Sequence, residues 1–309
     1  MTATAKAKTK AMKHKMTRAE KQEALTGYLF VTPYLIAFVI FTGIPFISAF
    51  LLSLLNVKYI SRLDNLKFVG LQNFIRFFQS SDAMQALWRS ILYSLIYVPV
   101  IMVISFLLAY LLNKGVFMKK AIRSMVFMPY VSNMMAVAII FQILLGPRGP
   151  LYTLQKLMGS EKPILPLLDL KWALPTVVLI AVWKGVGLNF LTYLGALQSV
   201  PPELMEAAEI DGANKWQQIK NVVIPCVSPT TFFLLISSII TSLQNFTVIQ
   251  ALTEGGPGRA TTVMSVNIVR TAFTTYETSY AAAQALVMFA IVMVITLIQW
   301  RGQKKWVNY

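Results

Sequence analysis

The 309-residue chain is 56% hydrophobic and only 13% charged, with a mean hydropathy of +0.62; soluble domains carry roughly 25% charged residues, so a water-soluble fold is excluded and a lipid bilayer is the expected solvent. The formal charge of +16 would suggest nucleic acid for a soluble protein, but the basic residues gather in a tail and beside apolar runs, where membrane proteins carry their orientation signal, and no nucleic-acid reader motif accompanies them. A single cysteine, Cys226, and a single histidine, His14 in the tail, exclude an intramolecular disulfide, thiolate or histidine metal sites, and the usual Ser-His and Cys-His catalysis.

In chain order, residues 1–26 are rich in Lys, Ala and Thr and have too little apolar surface to pack, so they read as a disordered basic cytoplasmic arm. The following apolar run is too long for the core of a secretory leader and lacks a small-residue cleavage site, so the arm is expected to stay attached. Residues 27–309 then form one transmembrane domain. Six apolar stretches, roughly 28–55, 88–113, 120–145, 173–197, 227–250 and 279–300, each approach or exceed the ~20 residues a spanning helix needs. The expected fold class is an all-α integral membrane protein with about six transmembrane helices. Pro33, Pro45, Pro99, Pro129, Pro175 and Pro229 fall inside these runs, which packed membrane helices tolerate. Ala281, Ala282, Ala283 and Ala285 open the last run and allow close helix contact.

With the N-terminus inside, 16 Lys and Arg residues fall on the cytoplasmic side and 11 outside, with Lys184 left within a span. Lys114, Lys119, Lys120 and Arg123 crowd one short inner loop, and short loops weigh most. Both termini are therefore expected in the cytoplasm.

Residues 199–225 stand apart. Pro201 and Pro202 suit a first helical turn, and Glu203 and Glu206 favour its positive end. Leu204, Ala207 and Ala208 share a face, and Asp211-Gly212 signals a turn. Trp216, Ile219 and Val223 then sit at helical spacing until Pro225, which is expected to stop the second helix. This is a helix-turn-helix suited to docking into another protein's cleft. The alternative, an amphipathic connector on the membrane surface, sits poorly with Glu203, Glu206, Glu209 and Asp211 facing an anionic leaflet.

Glu206-Ala207-Ala208, then Gly212, then Val222, Ile224 and Pro225 resemble the EAA loop of permeases from binding-protein-dependent ABC importers. Val222 and Ile224 replace that pattern's Ile and Leu conservatively. Phe68-Val69-Gly70-Leu71-Gln72-Asn73-Phe74 and Leu252-Thr253-Glu254-Gly255-Gly256-Pro257-Gly258 are similar to segments of the carbohydrate-type members. The resemblance covers residues 28–309. It implies a type I ABC importer permease arrangement in the cell inner membrane. Its implied partners are a second homologous permease, two ATPase subunits and an extracytoplasmic binding protein, with a sugar, oligosaccharide, related polyol or glycerol-phosphate-like compound as cargo. It also implies that Glu206, Ala207, Ala208, Gly212 and Pro225 belong to the ATPase-coupling loop. ATP and Mg would be bound by the ATPase subunits, and this chain would hold no cofactor or metal and would not be an enzyme. The sequence agrees that power comes from elsewhere, since it contains no Gly-Lys dipeptide and hence no phosphate-cradling P-loop.

Pathway residues are read from polarity within the spans. Lys184 lies near the middle of the fourth span, where a lysine costs roughly 2.5–3.5 kcal/mol on insertion scales; it is expected either to face a watery cavity or to bond carbonyls freed near Gly185 and Gly187. Asn189, Gln244, Asn245 and Gln284 can donate to and accept from sugar hydroxyls, or can bond neighbouring helices. Tyr97, Tyr130, Trp183 and Phe246 could stack on sugar rings or pack against lipid and core. The rivals are an ABC permease for a non-carbohydrate solute and a secondary transporter. The latter would want intramembrane carboxylates or repeats, and no Asp or Glu falls within the six stretches.

Overall fold

The computed structural model describes residues 17–58, 66–114 and 117–306. These are helical apart from short turns, loops and one isolated antiparallel bridge between Leu55 and Phe68. The chain divides into two compact units at Leu51 and Leu52.

The first unit begins with α1 (Arg18–Phe38). Residues 18–26, expected in the disordered arm, are thus helical, while residues 1–16 lie outside the described residues. A π turn over Val39–Gly43 joins α1 to α2 (Ile44–Ser53), closed by the Ile44 N–H donating to the carbonyl of Val39. The next residue is Pro45, which has no N–H and whose ring would crowd a carbonyl four residues back; a locally wider turn relieves that conflict. Phe30 and Phe41 are 81% and 79% exposed, as befits a surface whose solvent is lipid or another subunit.

In the second unit, α3 (Gln72–Gln79) leads into α4 (Ser81–Asn113), whose N-terminus is capped by Ser80 accepting from the Ala83 N–H. At 1.5 Å per residue the 33 residues of α4 run about 50 Å, well beyond a hydrocarbon core of about 30 Å. Its polar first turns, with Asp82 and Gln85, explain why the apolar run seen in the sequence began only at residue 88. The expected third span is two helices, α5 (Lys119–Val131) and α6 (Met134–Leu145), broken at Ser132-Asn133, where Asn133 caps α6. α7 (Pro150–Leu157) follows, then α8 (Ala173–Gln198). After the short helices α9 (Pro202–Ile210), α10 (Lys215–Gln218) and α11 (Ile224–Cys226) come α12 (Ser228–Leu243), α13 (Thr247–Thr253), α14 (Met264–Phe273) and α15 (Thr278–Trp306). The expected fifth span therefore breaks between α12 and α13. Among the described residues, five helices are long and apolar enough to cross a membrane, and a sixth if Lys215–Cys226 and Ser228–Leu243, bent by 69°, count as one.

α4 is the axis of this unit. Its start packs Ala83 and Ala86 with Phe77, Met264 and Tyr280. Its middle sets Tyr93, Tyr97 and Ile101 among Val177, Val178, Ile249 and Leu252. Its end sets Ala109 and Leu112 beside Phe190, Tyr193 and Val227. Small polar side chains stitch the helices where lipid offers no alternative partner. The Ser242 hydroxyl donates to that of Ser94 at 2.7 Å, and Ser90 accepts from the Met264 N–H at 2.7 Å. In the motif after the first span, the Asn73 amide donates to the carbonyls of Ser53 and Leu55 at 2.8 and 2.9 Å. That ties α3 to the backbone at Ser53 and Leu55, with Gly70 supplying a positive φ of 56° for the turn.

Candidate functional site

A cavity of 410 Å³ opens where α4, α8, the end of α5 and the α12–α13 break converge. Its existence follows from two interruptions in otherwise apolar runs. At the first, between α5 and α6, the last carbonyls of α5 lack the regular helical donor four residues on, and that of Pro129 accepts only a capping bond from the Ser132 N–H at 3.3 Å within the chain's backbone. The Lys184 ammonium, reaching across from α8, donates to the carbonyls of Pro129 and Tyr130, each at 3.2 Å, and of Ser132 at 2.7 Å. A cation at a helix C-terminus also suits the helix dipole. The carbonyls it takes up thus lie on the neighbouring helix, not near Gly185 and Gly187 as the sequence suggested. Those two glycines instead let chains approach: a β-carbon at Gly187 would lie 3.0 Å from the backbone of Val126 and Phe127, and one at Gly185 would lie 2.6 Å from the Tyr97 hydroxyl.

The second interruption is Gln244-Asn245-Phe246. The Asn245 amide donates to the Tyr93 hydroxyl at 2.6 Å, and its backbone carbonyl accepts from Ser265 at 2.7 Å. Gln244 remains exposed on the cavity wall. The hydroxyls of Tyr97, Tyr130 and Thr247 and the Gln244 carboxamide face this space without a hydrogen bond to another described residue.

Three of the pathway residues expected from the sequence, Lys184, Gln244 and Asn245, are brought together here. The other two are elsewhere. Asn189 is buried and donates to the Ser238 hydroxyl at 3.2 Å. Gln284 is buried between α14 and α15, accepting from Asn267 at 3.1 Å. Both serve helix contacts. Of the aromatics, Tyr97, Tyr130 and Phe246 line the cavity, whereas Trp183 packs edge-on against Phe141 at 5.4 Å and borders a separate apolar groove. Thr247 was missed; the signal for it was the polar Gln244-Asn245 pair breaking an apolar run, which exposes the next helix's first turn.

The helix-turn-helix of residues 199–225 is a second candidate site. α9 ends in a Schellman motif, with the Ala213 N–H donating to the carbonyl of Ala208 at 2.9 Å and the Gly212 N–H to that of Glu209 at 3.1 Å. Gly212 sits at φ 75°, a left-handed conformation that favours glycine. Asn214 and Gln217 close a capping box that starts α10. Gln218 and Val223 are buried and anchor the segment, while Glu203, Glu206 and Ala207 are exposed. So are Ile210 and Trp216, at 87% and 68%. Pro225 does not stop the second helix as expected. A π turn over Ile219–Val223 precedes it, α11 carries on to Cys226, and the break falls at Val227, with Pro229 in the first turn of α12. The same pairing of a π turn and a proline two residues on occurs at Gly43 and Pro45.

Residues 101–301 match the family described as binding-protein-dependent transport system inner membrane component, and the chain belongs to that family. It is thus a multi-pass helical membrane protein of the ABC permease fold. It is 31% identical over 299 residues to the probable ABC transporter permease protein YesP of Bacillus subtilis, covering 96% of both chains. It is also 31% identical over 291 residues to the sn-glycerol-3-phosphate transport system permease protein UgpA of Pectobacterium atrosepticum, covering 91% of this chain and 95% of that one. Among solved structures it is similar to a chain of a bacterial alginate ABC transporter in complex with an alginate pentasaccharide-bound periplasmic protein. That likeness has a TM-score of 0.81 at 25% identity, covering 93% of this chain and 96% of the other.

Proposed function

We propose that this chain is one of two permease subunits of an ATP-driven importer for a sugar, oligosaccharide or related polyol, supplied by an extracytoplasmic binding protein. It forms half of the translocation pathway and has no ATPase site of its own; two partner ATPase subunits bind ATP and Mg. Both termini lie in the cytoplasm, and residues 199–225 enter the ATPase cleft on that side. Glu206, Ala207 and Ala208 meet the ATPase, Gly212 holds the two short helices at their angle, and Pro225 lies where the segment joins α12. The observation that carries this reading is the exposed helix-turn-helix: its inner side is anchored by Gln218 and Val223 while Ile210 and Trp216 stand out in solvent, an arrangement that fits a protein cleft. The cavity beside Gln244 belongs to the solute pathway. Its unbonded hydroxyls and carboxamide set among tyrosine rings match the chemistry of a polyol, and the similarity to permeases named for sn-glycerol-3-phosphate and alginate transport supports that class.

The experiment is to purify the chain from its native membrane in mild detergent and identify its companions by mass spectrometry. The proposal expects an ATPase and a second permease in stoichiometric amounts. A chain that purifies alone, from membranes that transport without ATP, would overturn it.

A further inference from the structure

We infer that this subunit's wall of the pathway takes an uncharged, polyhydroxylated stretch of solute, and that Lys184 is a structural clamp and not an anion ligand. The inference rests on the cavity being part of the solute pathway. An ammonium group has three N–H donors and no acceptor, and the three donors of Lys184 meet three backbone carbonyls, those of Pro129, Tyr130 and Ser132, at 3.2, 3.2 and 2.7 Å. None remains to hold a carboxylate or phosphate. Those carbonyls close the C-terminal end of α5, so the negative end of the helix dipole also offsets the ammonium charge.

Lys184 is the one charged side chain on the cavity wall among the described residues, so neither an anion nor a cation finds a counter-charge there. What does face the space is neutral and hydrogen-bonding: the hydroxyls of Tyr97, Tyr130 and Thr247 and the carboxamide of Gln244. Hydroxyls donate and accept at one atom, and the carboxamide offers both from adjacent atoms, which is what a run of sugar hydroxyls requires. A solute of this kind differs in charge from sn-glycerol-3-phosphate and alginate, for which two similar proteins are named.

The potential in the cavity can be read without knowing the solute. In the full importer complex, with Cys226→Ser removing the native thiol, Thr247→Cys is modified by a cationic and by an anionic methanethiosulfonate reagent of similar size. Each rate is divided by that reagent's rate with a free thiol. The neutral wall predicts normalised rates within about threefold of each other, and a ratio that Lys184→Met leaves in place. An ammonium available to anions would instead speed the anionic reagent by about tenfold or more, as an uncompensated charge on the same cavity wall in a medium below water's dielectric would do, and that result would overturn the inference. If neither reagent reaches the thiol in any nucleotide state, the cavity is not an aqueous route, and the pathway reading falls together with the inference built on it.

Discussion

Without the ammonium of Lys184, three carbonyls at the end of α5 would lose a charge-assisted donor, each such bond contributing about 1.5–3 kcal/mol at most. Lys184→Met is therefore expected to lower the unfolding midpoint of the detergent-purified complex, whereas Lys184→Arg, which still donates, should restore most of it; equal midpoints for both would remove the clamp role. The sequence showed that this lysine had to face protein or water, because burial of a bare charge in lipid is too costly. It could not show which carbonyls would take it up, since these are freed by a helix break 52 residues away at Ser132. Asn189 and Gln284 teach the same lesson from the other side. An amide in a span has two fates, and only the neighbouring helix, bringing Ser238 or Asn267, decides between them.

At the scale of elements, the turn at Gly212 and the contact at Gly187 make opposite demands on glycine. A β-carbon at Gly212 meets nothing within 4 Å, so Gly212→Ala bears only the left-handed backbone penalty of about 1–2 kcal/mol and should weaken coupling without affecting membrane insertion. A side chain at Gly187 would push on the backbone of Val126 and Phe127 at 3.0 Å. Gly187→Leu is accordingly expected to separate α5 from α8 and to cut the yield of folded complex severalfold, measured by size-exclusion chromatography; a normal yield would mean that the helices can part at little cost. The Gly212 turn was legible because Asp-Gly after a helical pattern has a local cause. The breaks at Ser132-Asn133 and Gln244–Phe246 were not, because a two-residue polar pair inside an apolar run is equally compatible with a continuous span, and the compensating partners, Lys184, Tyr93 and Ser265, come from distant segments. Pro225 misled for a related reason: a π turn can precede a proline and let the helix continue, and nothing in the local sequence separates that outcome from a stop.

For the molecule as a whole, composition was sufficient to identify the solvent, and the motif spacing in residues 199–225 pointed to the family that residues 101–301 match, while the cavity needed the three-dimensional meeting of α4, α5, α8 and α12. The proposed orientation has a direct consequence for the single native thiol. Cys226 is exposed and follows the coupling segment, so a membrane-impermeant maleimide should label it in inside-out vesicles and spare it in right-side-out ones; the reverse pattern would invert the topology. On the proposed function, an exposed helix-turn-helix carries ATPase closure into a membrane pathway. The most direct measurement of this coupling is ATP hydrolysis by the reconstituted importer, with and without solute-loaded binding protein, for the native chain and for Gly212→Pro. Proline cannot adopt the positive φ of 75°, and it removes the N–H bonded to the Glu209 carbonyl, so the variant breaks the angle between α9 and α10 outside the packed helices. The variant is expected to assemble with its partners but to lose at least tenfold of the stimulation by loaded binding protein; a variant that assembles and is stimulated like the native chain would remove the coupling role of this segment.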